Sequence, residues 1–301
     1  MVLVDAPTDA DVPAHPGTLA SMPSHHLSWR REPSLERPVL IAAFDGWNDA
    51  GDAATWAVRH LHQRWDAEHF AEIDPEEFYD FSDLRPVVEL DGDTRRLHWP
   101  ANEFSATSDP AHVVLLQGIE PQLKWRTFSE QILEVAQAVD ASMVVTLGAL
   151  LAEVPHTRPV TIYGGSDDPE LCERLDLERS SYEGPTGIVG VLNQAANAAG
   201  IPAASIWATV PNYVSGAASP KAALALLERL QTLLGVALAT TDLEIAASSY
   251  ERQISQLVAE DDDTGDNVRD LEHQHDEGEL NEPDPTALVE EVERFLRDQR
   301  D

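Results

Sequence analysis

Residues 39–44 (VLIAAF) are apolar at every position, with no alternation, which is the pattern of a strand covered on both faces. A polar turn follows, crowded with Asp45, Gly46, Trp47, Asn48, Asp49 and Gly51. Ala54, Ala57, Val58, Leu61 and Trp65 then recur at helical spacing. Strand, turn and helix in succession make the first half of a βαβ unit. In an open α/β sheet the turn beyond the carboxyl end of such a strand lines the ligand crevice.

The pattern changes next. Residues 70–81 mix acids with Ile73, Phe78, Tyr79 and Phe81, and Asp74-Pro75-Glu76-Glu77 reads as a helix start. Residues 87–90 and 94–99 flank the turn Asp91-Gly92 as a hairpin. The α/β rhythm then resumes with a second buried strand at 112–117 and the polar loop GIEPQLKW. Thr127 and Glu130 carry a capping-box signature for a helix packed through Ile132, Val135, Ala136 and Val139. A strand at 143–147, the loop GALLAEVPHTRP, a short strand at 160–163 and a small helix at 168–175 follow. Thr186 is placed to cap a helix over 187–199 that stops at Gly200. A strand at 203–210 ends in Pro211-Asn212-Tyr213, and Ser219-Pro220 opens a Leu-rich helix ending at Gly235.

Beyond Thr240, Leu243, Ala247, Tyr250, Ile254 and Leu257 form a helical seam. Residues 261–283 are acidic and linker-like, with Val268 and Leu271 suited to a short helix. Residues 286–299 form a last amphipathic helix through Leu288, Val292, Phe295 and Leu296. The expected architecture is α/β, a mostly parallel sheet of at least five strands with helices on both faces, and C-terminal helices added. The expected organisation is a mobile extension at 1–36, an α/β core at 37–240 and a helical, acidic appendage at 241–301.

Composition narrows the partners. The formal charge of -34, with 20 Lys and Arg against 54 Asp and Glu, argues against nucleic acid or an anionic membrane, whose phosphates need clustered cations. A single cysteine, Cys172, rules out an internal disulfide and fits a reducing compartment; a buried structural thiol is its expected role. With no apolar run of spanning length and no basic-then-apolar amino terminus, a cytoplasmic location is expected.

Candidate chemistry gathers at the strand ends. Asp45, Asn48, Asp49 and Asp52 offer a hard-cation site or a general base; equally, Asp45 and Asn48 satisfy the turn backbone while Asp49 and Asp52 favour the helix start. Glu120 and Lys124, between walls made by Trp47 and Trp125, make a charged pair facing the same cleft, or pin a loop. GPTGIVG, with Thr186 and Gly187, opens a helix whose free N–H groups suit an anion, but the polar ERSSYE before it lacks the strand that a dinucleotide site needs. Asn212 and Tyr213 complete the crevice candidates. No GxxxxGK[ST] is present, no histidine spacing makes a metal site, and no nucleophile elbow occurs, so no cofactor, metal or covalent catalyst is expected. The terminal helices suit docking into a partner's groove or packing on their own domain.

FDGWNDAGDAA, QGIEPQLKW, LGALLAEVPHTRPV and YEGPTGIVGVLNQAANAAGIPAASIWATVPNYV, in that order, resemble the proteasome assembly chaperone 2 family, its actinobacterial-type members above all. The resemblance spans about residues 36–300. It implies a three-layer α/β/α fold similar to purine nucleoside phosphorylases and a homo-oligomer, trimers in particular. It also implies a non-catalytic assembly factor that binds protein subunits, with proteasome α subunits as the partner. Some relatives dock through a terminal hydrophobic-Tyr-X tail, whereas this sequence ends Asp298-Gln299-Arg300-Asp301, so that mode is not implied. The alternative is a hydrolase or phosphorylase for a small anionic or nucleoside-like substrate, with Asp45, Asn48, Glu120, Lys124 and Asn212 converging at the strand ends.

Overall fold

The structure, a computed structural model, describes residues 26–92, 94–178, 183–214 and 216–278. Strands β1 (Leu27–Trp29), β2 (Val39–Asp45), β3 (Glu68–Ile73), β6 (Asn102–Thr107), β7 (Val113–Ile119), β8 (Met143–Ala152), β9 (Ile162–Gly165) and β10 (Ala203–Pro211) form one sheet, in the order β1-β3-β6-β7-β2-β8-β10-β9. Its centre, β7-β2-β8-β10, is parallel. Antiparallel partners extend both edges. Because β3 reverses β6, which reverses β7, five of the eight strands share one direction. The four central strands are the apolar runs, as strands covered on both faces must be. A separate two-stranded hairpin, β4 (Val87–Asp91) with β5 (Thr94–His98), matches the turn at Asp91-Gly92.

Helices cover both faces. On one, α1 (Ala53–Arg64), the small α3 (Pro169–Leu175) and α5 (Pro220–Leu234) pack over Ile41, Leu115, Val145 and Ile206. On the other, α2 (Trp125–Ala138) and α4 (Ile188–Ala198) cover Leu40, Phe44, Phe104 and Leu116, with Phe128 edge-on to Phe44. Fully burying one such side chain contributes about 1.5–3 kcal/mol. Helix α6 (Thr241–Ala259) lies on α5, and Leu243 enters the first core.

Several expectations change. Of the segment read as a mobile extension, residues 1–25 lie outside the described residues, and Leu27–Trp29 pairs with β3 as an edge strand. β3 and β6 stand where no strand was expected. Residues 75–77 form only a 3-10 turn, with the Asp74 carboxylate accepting from Glu76 N. β8 runs on through Gly148–Ala152, expected to be loop, because Ala149 to Ala152 stay in register with β10. Helix α2 starts at Trp125 from a left-handed Lys124 (φ 54), so Thr127 lies inside the helix and caps nothing. The α4 cap is Gly187, not Thr186.

α7 (Asp262–Glu277) is a full helix where the sequence reads as linker-like with a short helix at Val268 and Leu271; those two residues are buried, and Arg158 grips Asp276 with two hydrogen bonds. Leu257, expected in the α6 seam, is 60% exposed. Cys172 is half-buried beneath Ser166 O and Glu178 O. The helix expected at 286–299 lies outside the described residues.

Candidate functional site

The carboxyl ends of β2 and β7 meet the amino end of α4. Gly46, with φ 128, lets the chain leave β2 sharply. Asn48 then turns inward and is 1% exposed, its main chain bridging to the extended β8 through Ala149 N to Asn48 O at 2.8 Å. Glu120 N donates to Asp45 O at 2.8 Å, tying the loop after β7 to the end of β2. One Glu120 oxygen, Oε1, accepts from Asn48 Nδ2 at 2.7 Å and from Ile188 N at 2.8 Å. A carboxylate of the chain itself therefore occupies the helix terminus that GPTGIVG offered to an external anion. Gly187 is needed for this contact, since a Cβ there would lie 2.3 Å from Asn48 Oδ1. Thr186 is exposed, its Oγ1 lying over Gly190.

Behind Glu120 the end of β7 is pinned. Asn102, fully buried on β6, accepts from Ile119 N at 3.1 Å and donates to the Tyr79 hydroxyl, which donates to Ile119 O at 2.6 Å. Burial raises the Tyr79 phenol well above its ordinary range.

Asp49 serves the helix start. Its carboxylate accepts from Ala54 N at 2.6 Å, Thr55 N at 3.2 Å and the Thr55 hydroxyl. Desolvation outweighs these bonds and pushes the carboxyl up to about 6. Asp45 and Asp52 are exposed beside it, the three groups offering ligand oxygens within 4.8 Å of one another. Both Asp49 oxygens are already engaged by α1, however, and a hard cation takes six or more oxygens.

Among the described residues, the remaining candidates form no side-chain bond with Glu120 or Asp49. Lys124 forms its ion pair with Glu77 across the loop, not with Glu120. Lys124 and its partner are half exposed, and the pair holds the Glu77 carboxyl below the usual range. Trp47 and Trp125 are half-buried, and Trp125 Nε1 donates to Pro121 O at 2.5 Å, closing the first turn of α2. Asn212 and Tyr213 form a 3-10 turn after β10. There Tyr213 belongs to a second polar cluster that the sequence reading did not single out.

That cluster centres on His156, in the loop after β8 and 3% exposed. The Ser255 hydroxyl donates to Glu251 O at 2.9 Å, so it accepts from His156 Nε2 at 3.0 Å. The Tyr213 hydroxyl accepts the His156 backbone N–H at 2.8 Å and donates to Nδ1 at 2.9 Å. These roles fix a neutral imidazole protonated at Nε2. Burial, then the nearby Lys221 ammonium, lower the His156 pKa, and burial pushes the Tyr213 phenol up to about 12. Lys221 Nζ donates to His156 O at 2.5 Å and pairs with Glu251 at 2.5 Å. Beside the cluster a groove of about 360 Å³ runs between Ser255, Val258, Asp261 and Arg269. Pro155 and Pro159, flanking His156-Thr157-Arg158, were the available signal that this loop is held in shape. Its partners, 57 to 99 residues away, left none.

A model of the PAC2 family matches residues 43–258, from the end of β2 almost to the end of α6. The chain belongs to the PAC2 family. A PAC2 family protein from Streptomyces avermitilis is 48% identical, with 73% of this chain and 95% of that one covered and a TM-score of 0.71. A proteasome-assembly chaperone homologue from Mycobacterium tuberculosis is 46% identical, with 76% and 99% covered and a TM-score of 0.70. An archaeal proteasome activator from Pyrococcus furiosus shares the fold at 17% identity and a TM-score of 0.63, covering 77% of this chain and 97% of that one. The identified family thus has both solved actinobacterial members and archaeal fold relatives. The PAC2 region includes the whole crevice, Asp45 to Asp49, Glu120 and Gly187, as well as His156 and Tyr213. Among the described residues no helix is long and apolar enough to cross a membrane.

Proposed function

We propose that this PAC2 family chain is a non-catalytic assembly factor of the cytoplasm that works as a homo-oligomer and binds proteasome α subunits. The observation that carries the reading is the bonding at the strand ends. Glu120 receives Asn48 and Ile188, Asp49 receives the start of α1, and Lys124 is drawn to Glu77. A catalytic site needs acid, base and binding groups directed at one reacting atom, and here Glu120, Asp49 and Lys124 are bonded instead to backbone and side-chain groups of the chain itself. The described similarity of the Mycobacterium tuberculosis structure, a proteasome-assembly chaperone homologue, supports the partner class. The test is affinity isolation of the tagged protein after mild crosslinking, with co-purifying proteins identified by mass spectrometry. Enrichment of proteasome α subunits over a matched acidic control protein is expected; self-association alone would sink the partner assignment.

One observation favours the alternative, a hydrolase or phosphorylase acting on a small anionic or nucleoside-like substrate. Asp49, pushed up to about 6, sits in the range where a carboxylate serves as a general base. That reading requires turnover of such a substrate, abolished in Asp45→Ala and Glu120→Ala. The assembly reading expects both variants, if folded, to keep partner binding.

A further inference from the structure

Among the described residues β4 and β5 pair only with each other, and all ten of their residues are exposed. Their register sets Val88 opposite Leu97 and Leu90 opposite Arg95, so Val88, Leu90 and Leu97 share one face. The other face is charged and pairs within itself, Arg96 with Asp91 at 2.8 Å and His98 with Glu89 at 3.3 Å. The foot is fixed, with the Trp99 ring meeting Phe81 edge-on at 4.8 Å between centroids. The arm is thus held at its base, and its apolar stripe is bare: Leu90 is 72% exposed. Two strands with water on both faces are marginally stable, and their open edges and apolar stripe favour pairing with another chain.

Charge selects the occupant. The chain carries -34, yet between residues 85 and 99 Arg85, Arg95 and Arg96 balance Glu89, Asp91 and Asp93. A basic partner would be drawn to the acidic remainder of the surface, not to this neutral arm. Two copies of the chain face the opposite problem, since their bodies repel. A neutral, apolar arm is where they approach with least repulsion. We infer that the β4–β5 hairpin is the arm by which one copy docks on a second copy of this chain, through Val88, Leu90 and Leu97. This inference rests on the homo-oligomer of the proposed function and locates its contact.

The test is light scattering with sedimentation on the intact protein, comparing wild type with Val88→Ser/Leu90→Ser/Leu97→Ser and with Leu90→Ser alone. The expected result is an oligomer for wild type and dissociation to monomer for the triple variant, with an unchanged thermal melt. If the triple variant melts lower, Leu90→Ser decides, and the expectation is a tenfold or greater weakening of self-association, about 1.4 kcal/mol. A wild-type oligomer that both variants retain overturns the hairpin contact and leaves the oligomer standing. A monomeric wild type overturns both. Raising salt from about 0.1 M to about 1 M screens the repulsion between acidic bodies and should tighten the oligomer; loosening would contradict the charge argument.

Discussion

The crevice and the hairpin arm stand in opposite states. At the crevice the Glu120 and Asp49 carboxylates are taken by the chain's own structure, while Asp45 and Asp52 face solvent and Asn48 Oδ1 is buried without a partner. Glu120 closes the helix terminus of α4, Asp49 closes that of α1, and Asn102 and Tyr79 brace the strand end behind them. On the arm, apolar side chains and strand edges face water with no partner in the same sheet. A crevice bonded to itself contributes stability and fixes the shape of the strand ends. An arm with unpaired edges contributes little to stability and is available for binding. Position at the carboxyl edge of an α/β sheet is not by itself evidence of chemistry; the bonding of the groups there decides it.

The contrast can be broken by substitution, and the largest effect is expected at Asp49. Asp49→Ala leaves Ala54 N, Thr55 N and the Thr55 hydroxyl without their buried acceptor and should cost about 2–4 kcal/mol in urea unfolding. Glu120→Ala orphans Asn48 Nδ2 and Ile188 N and should cost about 1–3 kcal/mol. Gly187→Ala should cost a similar amount, about 1–3 kcal/mol, by driving a methyl into the Asn48 amide. A destabilisation under about 0.5 kcal/mol in all three would mean that the crevice is not bonded as described and is free for a ligand.

Asp49 has a native pKa raised to about 6, from 3.8. Its contribution to stability is therefore fully present below about 3.8 and lost as pH rises through about 6. Asp49→Asn should remove that component, so that wild type loses on the order of 1 kcal/mol relative to the variant between pH about 5 and about 7. His156 runs the other way. Its native pKa is lowered, so its contribution is fully present above 6.5 and is lost as pH falls through the lowered value. His156→Gln should flatten the acid side of the stability profile, read by urea unfolding at a series of pH values. The smallest effect on stability is expected on the arm, where Leu90→Ser should change unfolding by less than about 0.5 kcal/mol.

The sheet's centre was legible in the sequence because β2, β7, β8 and β10 are buried on both faces and so are nearly continuous apolar runs, interrupted only by small or terminal polar residues such as Thr146, Ser205, Thr209 and Gln117. The flanks were not. EHFAEI of β3 and NEFSAT of β6 mix charged and polar residues with the phenylalanines that reach the core, and an antiparallel flank tolerates that mixture. The two N-caps were misread for different reasons. Thr127 and Glu130 fit a capping box, but the Trp125 indole hydrogen-bonds back to Pro121 O and α2 starts three residues before the start a Thr127 cap implies. Thr186 fits a cap, but the N–H it would have served is taken by Glu120, 68 residues away.

Lys124 shows the same limit at the site. Its neighbour in sequence, Glu120, looked like its partner, and the fold brought Glu77 instead. Asp45, Asn48, Asp49 and Glu120 were placed together from the strand-end rule alone, and they do lie together. What that rule does not contain is which of their oxygens the backbone has already engaged.

The most direct test of the central claim is to mix the purified protein with purified proteasome α subunits and determine the mass of any complex by native mass spectrometry, for wild type and for Asp45→Ala. The account predicts a complex of defined stoichiometry that survives Asp45→Ala unchanged. Absence of any complex with either protein, at concentrations where the chain is folded and self-associated, would contradict it.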